Sequence, residues 1–526
     1  MTFFNVNGRF GSPTKGQPEF RNAADHLAYL DTLGVSRSLV WHTAALELNP
    51  TWGNHELLAE LGRTRGAAER LVPAFVISTA NRWERGGMAD LRETMIQHQV
   101  RALRIFPGHL HHTLQEIEPV IERLADLKPT LLFDCRSLPP SCSLRDFAKH
   151  FPQLSIVYTN ASWPQMATAF DLLAQTENVS IDISWLHTCG TVELMVREFG
   201  AERAVFGLGH RTNHGASIID LMDADISEEA RAQIAHRNLE RMLGLPESSL
   251  PQPPNQKGAL WNAIRDGRPC PVPIIDAHGH LGPNGNWMLA EQQAESQTGD
   301  ILRRMDRLNI QQMVVSGTHA LFGDPVSGNQ MLEEIARPFP DRFLGYLGFN
   351  PRYAAELVPT FEDSFSRDFF IGFKLLLSYW QIPVTDPRLA PVWQYAHDHR
   401  LPILLHTWDD PYDFPMMLDE IVARYPQAAF ILGHSGGVDT GRAAAIELAS
   451  KHPNVYPEWC GSYQMTLPFE ELIQQVGPDR ILFGTDAALH SPAWELGRFL
   501  SLDLPDELLT PALGANMRRL LAARIR

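Results

Sequence analysis

Short apolar segments alternate with longer amphipathic ones along the whole chain. In the second half, the segments QQMVVSG, FLGYLGF, GFKLLL, LPILLHT, AAFILGH, NVYPEW and RILFGTD are short and apolar, as is typical of buried strands. Between them, stretches such as DPRLAPVWQYAHDH and DFPMMLDEIVARY have the apolar spacing of amphipathic helices. Strand and helix alternate in this way over about 250 residues, which predicts a parallel (β/α)8 barrel. The first half has the same rhythm, so the pattern predicts an α/β fold of two tandem TIM-like barrels.

The two halves also match each other segment by segment. FFNVNGRFG near the start corresponds to PIIDAHGHLG at 273–282, and FPQLSIVYTN corresponds to YPQAAFILGH. Matched positions are separated by 270 to 278 residues throughout and keep the same order. Such constant spacing indicates a tandem duplication.

The join between the halves is rich in proline and polar residues. LPESSLPQPPNQKG has the composition of a semi-extended linker, and ALWNAIRDG after it predicts a short helix. We therefore predict a first barrel over residues 1–246, a linker with a short helix over 247–272, and a second barrel over 273–526.

Composition and charge limit the kinds of molecule that we expect the chain to bind. The chain has 526 residues and a net charge of −16, which argues against nucleic acid or an anionic membrane as the main partner. No apolar run reaches the roughly 18 residues that span a bilayer. Five cysteines form no CxxC pair, and no signal segment precedes them, which favours a reducing cytoplasm. We expect a small-molecule substrate and leave a homodimer open.

Residue types that bind metals recur at the strand ends of the second half. His278 and His280 are two apart, so on a strand both imidazoles face the barrel mouth. Further polar residues lie in or at the end of four later strands, on the face where barrel enzymes build their sites: Lys374, His406, His434 and Asp486. The matching positions of the first half hold no recognised metal-binding set: Asn7, Arg9, Arg104, Asp134, Asn160 and Gly209. The pattern predicts a metal site in the second barrel and none in the first.

The ordered set HxH, Lys, His, His and Asp, with GHSGG and FGTD, resembles the amidohydrolase superfamily. It is most similar to the amidohydrolase-related branch, which includes aminocarboxymuconate-semialdehyde decarboxylase and related lactonases. The resemblance covers nearly all of 273–526 and, as a degenerate copy, most of the first half. It implies one divalent ion, Zn²⁺ before Mn²⁺, with these ligands: His278, His280, His406 and Asp486.

The resemblance also implies separate roles for the site residues. Asp486 would bind the metal and act as general base toward metal-activated water, while His434 would stabilise or protonate the substrate. Lys374 has two interpretations: a carboxylated bridge to a second ion, or a cation that binds a substrate carboxylate. Asp276 is expected to position the histidine strand. Three further residues near the mouth are candidate pocket residues: His319, Trp408 and His490.

These residues predict a metal-dependent hydrolase that cleaves a C–O or C–N bond of a small organic substrate. Two alternatives stay open. One is a metal-dependent, non-oxidative decarboxylase of a small aromatic or unsaturated acid, because nearly the same ligands serve that reaction. The other is a non-catalytic binding or regulatory protein, which bound metal would argue against.

Overall fold

Sixteen strands form two parallel eight-stranded sheets in this computed structural model, counted over the residues that it describes. These are residues 1–138, 141–209, 213, 215–247, 253, 256–283, 294–461 and 466–525, so much of the predicted linker lies outside them. Contacts divide the chain into two units, Met1–His187 with Thr191–Lys257 and Thr188–Gly190 with Gly258–Arg526. Within each sheet the strands follow chain order, as in a (β/α)8 barrel.

The strand segments predicted from the apolar pattern all contain strands. The first sheet comprises β1 (Phe4–Phe10), β2 (Arg37–His42), β3 (Leu71–Ile77), β4 (Ala102–Ile105), β5 (Thr130–Asp134), β6 (Ile156–Thr159), β7 (Val179–Asp182) and β8 (Ala204–Val205). The second comprises β9 (Ile274–Leu281), β10 (Ile310–Gly317), β11 (Phe343–Gly348), β12 (Phe370–Leu375), β13 (Pro402–His406), β14 (Ala429–Gly433), β15 (Val455–Trp459) and β16 (Leu482–Phe483). The eighth strand of each sheet is only two residues long, so Asp486 follows β16 rather than ending it.

Helices connect the strands and cover the outside of each sheet. The first unit contains α1 (Ala23–Leu33), α2 (Ala44–Glu47), α3 (Pro50–Arg63), α4 (Ala67–Arg70), α5 (Gly87–Gln97), α6 (Leu114–Glu122), α7 (Ser141–His150), α8 (Trp163–Gln175), α9 (Thr191–Phe199), α10 (Ala216–Asp223), α11 (Glu228–Ala232) and α12 (Asn238–Met242). The second contains α13 (Ala259–Arg265), α14 (Ala294–Leu308), α15 (Thr318–Phe322), α16 (Pro325–Ala336), α17 (Ala354–Leu357), α18 (Phe361–Ser366), α19 (Leu377–Trp380), α20 (Ala390–His399), α21 (Asp419–Arg424), α22 (Asp439–Lys451), α23 (Thr466–Val476), α24 (Pro492–Leu500), α25 (Asp506–Leu509) and α26 (Ala515–Ala523). No helix in the described part of the chain is both long and apolar enough to cross a bilayer.

Each barrel is closed by contacts between its first and last strands. In the first, Val6 N donates to Phe206 O at 3.0 Å. In the second, Gly279 pairs with Ala487, and Asp486 N donates to His278 O at 2.7 Å. Closure brings the residue that follows β16 against the two histidines of β9.

The end of each barrel away from the carboxyl ends of its strands is filled with apolar side chains and closed by its last helix. In the second barrel, Leu404 and Ile431 pack with Met517 of α26. In the first, Leu132 and Val157 pack with Leu239 of α12. Burying a side chain of this size contributes about 1.5–3 kcal/mol, so these layers stabilise each barrel and leave its opposite end for polar residues.

Matched asparagines make the same backbone contacts in both units. Asn238 and Asn516 each donate Nδ2 to two carbonyl oxygens beside the start of the eighth strand, at 2.8 Å in all four bonds. Asn178 and Asn454 each donate Nδ2 to three carbonyl oxygens before the sixth strand, at 2.9–3.3 Å. These bonds give side-chain donors to carbonyl groups in the segments that lead into these strands.

Candidate metal centre

Two histidines of β9 and one carboxylate meet at the carboxyl end of the second barrel. Asp486 Oδ1 lies 2.8 Å from His280 Nε2 and 3.6 Å from His278 Nε2. These three residues are buried, and each offers a ligand atom within 4.8 Å of the others. Two imidazoles and one carboxylate at this spacing are a ligand set typical of a divalent-metal site.

Asp276 fixes the relative position of this ligand set. Its Oδ1 atom accepts hydrogen bonds from His278 N at 3.0 Å and from Thr485 N at 3.1 Å. Its Oδ2 atom accepts from Thr485 Oγ1 at 2.5 Å. One buried carboxylate therefore ties the histidine strand to the segment that carries Asp486, which has a left-handed backbone with φ of 57°.

The Nδ1 atom of each predicted ligand histidine contacts a protein group. The contacts are Ser316 Oγ at His280 (2.9 Å), Asp413 Oδ2 at His406 (2.9 Å) and Glu458 Oε2 at His278 (3.4 Å). Engaging Nδ1 fixes the ring orientation and leaves Nε2 as the ligand atom, which is the common arrangement around protein-bound metals.

The protonation states of these residues also fit a divalent cation. Burial, together with the Lys374 charge, holds the pKa of His278 well below its usual value, and burial lowers the pKa of His406 to about 4. Burial alone would raise the pKa of Asp486, but the hydrogen bond from His280 holds that pKa well below its usual range. Neutral imidazoles beside an ionised carboxylate are ready to bind a metal.

His406 and His434 lie beside this cluster. The ring centroid of His434 is 5.2 Å from that of His278 and 5.0 Å from that of His406. His434 follows β14 with φ of 64°, and its Nδ1 lies 3.3 Å from Cys460 O. Among the described residues, no group hydrogen-bonds to its Nε2, so this atom is available to a substrate.

Lys374 lies in β12 at the centre of the site. Its side chain is 1% exposed, and its Nζ is 2.8 Å from His278 Nε2. No carboxylate of the described residues lies within the 4 Å of an ion pair with it. Burial lowers the pKa of this ammonium group, while the charge of Asp486 acts in the opposite direction.

The three candidate pocket residues lie in different surroundings. Trp408 stacks on His406 with ring centroids 5.9 Å apart, and Gly437 leaves room for it, since a Cβ there would lie 2.4 Å from the indole. His490 is buried with Nε2 3.8 Å from Asp486 Oδ2. His319 instead faces Ser327 Oγ at 3.4 Å from its Nε2, so the structure does not bring it to the cluster.

Three further residues of the site belong to no sequence motif: Asp413, Glu458 and Cys460. Cys460 Sγ lies 3.2 Å from His278 Nδ1 and donates to Glu458 Oε2 at 3.3 Å. Burial raises the pKa of Glu458 to about 8. The sequence gives one indication of these three residues, which is the glutamate inside the otherwise apolar strand segment NVYPEW.

We expect Asp413→Asn to weaken metal binding without unfolding the barrel. The amide keeps the size of the side chain but loses the charge that holds His406 Nδ1. Loss of such a partner typically costs 10–100-fold in metal affinity. Competition with a chelator measures the affinity, and Asp409→Asn, at an exposed acid of the same loop, is the matched control. Equal metal affinities of Asp413→Asn and the unmodified chain would contradict this role.

Comparison with known proteins finds one family model and several solved structures to which the chain is similar. Residues 275–522 match the amidohydrolase family model, and no curated protein matches the chain. Among solved structures, the chain is similar to 2,6-dihydroxybenzoate decarboxylase from Rhizobium, at 18% identity over 48% of this chain and 98% of that one, with a TM-score of 0.38. It is also similar to 5-carboxyvanillate decarboxylase from Sphingomonas paucimobilis, at 13% identity over 48% and 99% of the two chains, with a TM-score of 0.37. A third is a dihydroxybenzoic acid decarboxylase from Polaromonas sp. JS666 with bound manganese, at 16% identity over 48% and 97%, with a TM-score of 0.35.

The family match begins in β9 and ends in α26. It therefore spans the histidine pair, Lys374, His406, His434 and Asp486. The amidohydrolase family model thus matches residues 275–522, a little under half of the chain, and the match includes every predicted site residue of the second half.

Proposed function

We propose that the second barrel is a metal-dependent decarboxylase of a small aromatic or unsaturated carboxylic acid. The observation that carries this proposal is the buried ammonium group of Lys374, which has an imidazole as its hydrogen-bond partner and no described carboxylate within 4 Å. A buried cation with no carboxylate in direct contact is costly, even though the charge of Asp486 acts on it from farther away. A substrate carboxylate beside His278 and Asp486 would supply that direct contact.

The surrounding residues suit a planar acid. A divalent ion, Zn²⁺ or Mn²⁺, held by His278, His280, His406 and Asp486 would supply a Lewis acid that orients the substrate oxygens and neutralises their charge. Trp408 offers an aromatic face beside His406 on which a flat substrate can stack.

The reaction needs a proton at the carbon that loses the carboxyl group. The C–C bond to the carboxyl group breaks, its electron pair stays on the substrate carbon, CO₂ leaves, and the carbon takes up a proton. His434 is positioned for that transfer, because its Nδ1 faces Cys460 and its Nε2 is available. Burial lowers the pKa of this ring to about 3, so Nε2 must first take up the proton from water before passing it to the carbon.

Hydrolysis of a C–O or C–N bond is the second candidate, and the position of Asp486 favours it. Both ligand histidines approach Oδ1 of this carboxylate, while Oδ2 has His490 at 3.8 Å, beyond hydrogen-bond distance. The second oxygen of an ionised carboxylate can act as general base toward water.

We further infer that the first barrel is a duplicated copy that lost its metal ligands. The left-handed backbone of His434 and Asp486 has counterparts at the matched positions, with φ of 62° at Asn160 and 68° at Gly209. Asn5 supports the same view, since its Oδ1 accepts from Asn7 N and Leu208 N, as Asp276 does in the second barrel. Asn7 and Gly209 cannot replace an imidazole and a carboxylate as metal ligands.

Turnover of carboxyl-labelled acids tests the proposed reaction. We expect the metal-loaded chain to release labelled CO₂ from at least one member of a panel of hydroxybenzoates and unsaturated acids. Lys374→Gln should raise KM by about tenfold or more, since a charged hydrogen bond to the carboxylate is lost. Lys451→Gln, an exposed lysine of α22, is the matched control. If the same preparation hydrolyses lactones or amides and releases no CO₂ from any acid, the decarboxylase proposal is wrong, and hydrolysis, the second candidate, takes its place.

A further inference from the structure

The first barrel keeps an open cavity at the carboxyl ends of its strands. The cavity has a volume of about 230 Å³ and is lined by residues at the positions that match the metal site, including Asn7, Arg104 and Asn160. The two groups of histidine, cysteine, aspartate and glutamate that could hold a metal both lie in the second barrel, as far as the described residues extend. A ligand of this cavity would therefore be bound by the protein groups themselves.

Three guanidinium groups and one carboxylate line this cavity. Arg9 pairs with Glu19 at 2.9 Å, and Arg136 pairs with Asp134 at 3.5 Å. Asp134 also accepts from Asn160 Nδ2 at 2.6 Å, so its charge is already compensated by neighbouring donors. Within the lining itself the three arginines outnumber the one aspartate. Buried Asp182 lies behind the lining, where it accepts from Asn7 Nδ2 and Asn160 N, and its charge also acts on Arg104.

Arg104 is the buried member of these three arginines. It is 3% exposed, and its Nη2 donates to Val6 O at 2.5 Å and to Asn7 Oδ1 at 3.1 Å. Its Nε has no hydrogen-bond partner, and no carboxylate of the described residues lies within 4 Å of the group. Burial lowers the pKa of Arg104 to about 10, which leaves it charged at neutral pH. A buried guanidinium in this state is a binding group for an anion.

Part of the cavity wall is aromatic. Trp41 and Phe106 are both buried, with ring centroids 5.1 Å apart and an angle of 46° between the planes. Leu46 packs against the same pair. A ligand that fills the cavity therefore meets both cationic donors and an apolar surface.

We propose that the mouth of the first barrel binds a small organic carboxylate with a planar apolar body, without a metal. The carboxylate lies against Arg104, with Arg9 and Arg136 nearby, and the apolar body lies against Trp41 and Phe106. This site is separate from the metal centre of the second barrel and binds its ligand whether or not that centre is loaded.

Calorimetric titration of the full chain with benzoate, after removal of metal by a chelator, tests this site. We expect one benzoate per chain, bound at least about tenfold more tightly than benzamide, which has the same ring and no charge. Acetate, which lacks the ring, should also bind more weakly than benzoate. Loss of benzoate binding on chelation would assign it to the metal centre and overturn the proposal, as would equal affinities for benzoate and benzamide.

Arginine variants locate the site. Arg104→Gln should weaken benzoate binding by about tenfold or more and leave benzamide binding unchanged. Because Arg104 also supports β1 through Val6 O, the more exposed Arg9→Gln and Arg136→Gln provide independent tests, each with severalfold weaker benzoate binding. Arg63→Gln, on the outer surface of α3, is the matched control. Unchanged benzoate affinity in all three mouth variants, with their thermal unfolding intact, would overturn the assignment.

Discussion

Replacing Asp486 by Asn should lower kcat by about two to four orders of magnitude at saturating metal. Asp486 is the anionic member of the candidate ligand set, and its Oδ1 lies 2.8 Å from His280 Nε2. In the hydrolytic candidate it is also the general base, so both reactions need its charge. Asparagine tolerates the left-handed backbone found at this position, with φ of 57°, so the fold should survive the change.

The measurement must separate catalysis from metal loss, because an amide is a poorer ligand than a carboxylate. Activity is therefore expressed per bound metal ion, determined by elemental analysis of the same sample. The control is Asp479→Asn, which makes the same substitution at an exposed acid. Asp479 precedes β16, whereas Asp486 follows it. A rate per metal within a fewfold of the unmodified chain would remove Asp486 from the catalytic residues.

The barrel architecture could be predicted from the sequence because parallel strands buried on both faces read as short apolar runs. The segment GFKLLL contains most of β12, and LPILLHT contains β13. The predicted ends of the helices were less accurate. DFPMMLDEIVARY, predicted as one helix, is a 3₁₀ turn over Pro415–Leu418 followed by α21, because the proline begins a tighter first turn.

The same distinction applies to the candidate site. Residues placed by local spacing could be predicted from the sequence, and residues placed by long-range contacts could not. His278 and His280 are recognisable because a two-residue spacing places both on one face of a strand. Asp413 is not, because it contacts His406 from a loop of several acids, and no periodicity separates the acid that turns inward from the exposed Asp409. His319 follows a strand as well, and its position in the sequence does not show that its side chain faces Ser327.

Replacing His434 by Asn should leave the metal bound and lower kcat by about two to four orders of magnitude, the range of a lost proton-transfer group. His434 lies beside the three-residue ligand cluster without belonging to it, and its Nε2 is available to a substrate. Asparagine is the conservative choice, because Asn160 has nearly the same backbone at the matched position of the first barrel, with φ of 62° against 64°. Metal content and kcat are measured together, with His319→Asn as the control that should change neither. If His434→Asn instead loses its metal and regains full activity with excess Zn²⁺ or Mn²⁺, His434 is a ligand, and Lys374 becomes the candidate bridge of a two-metal site.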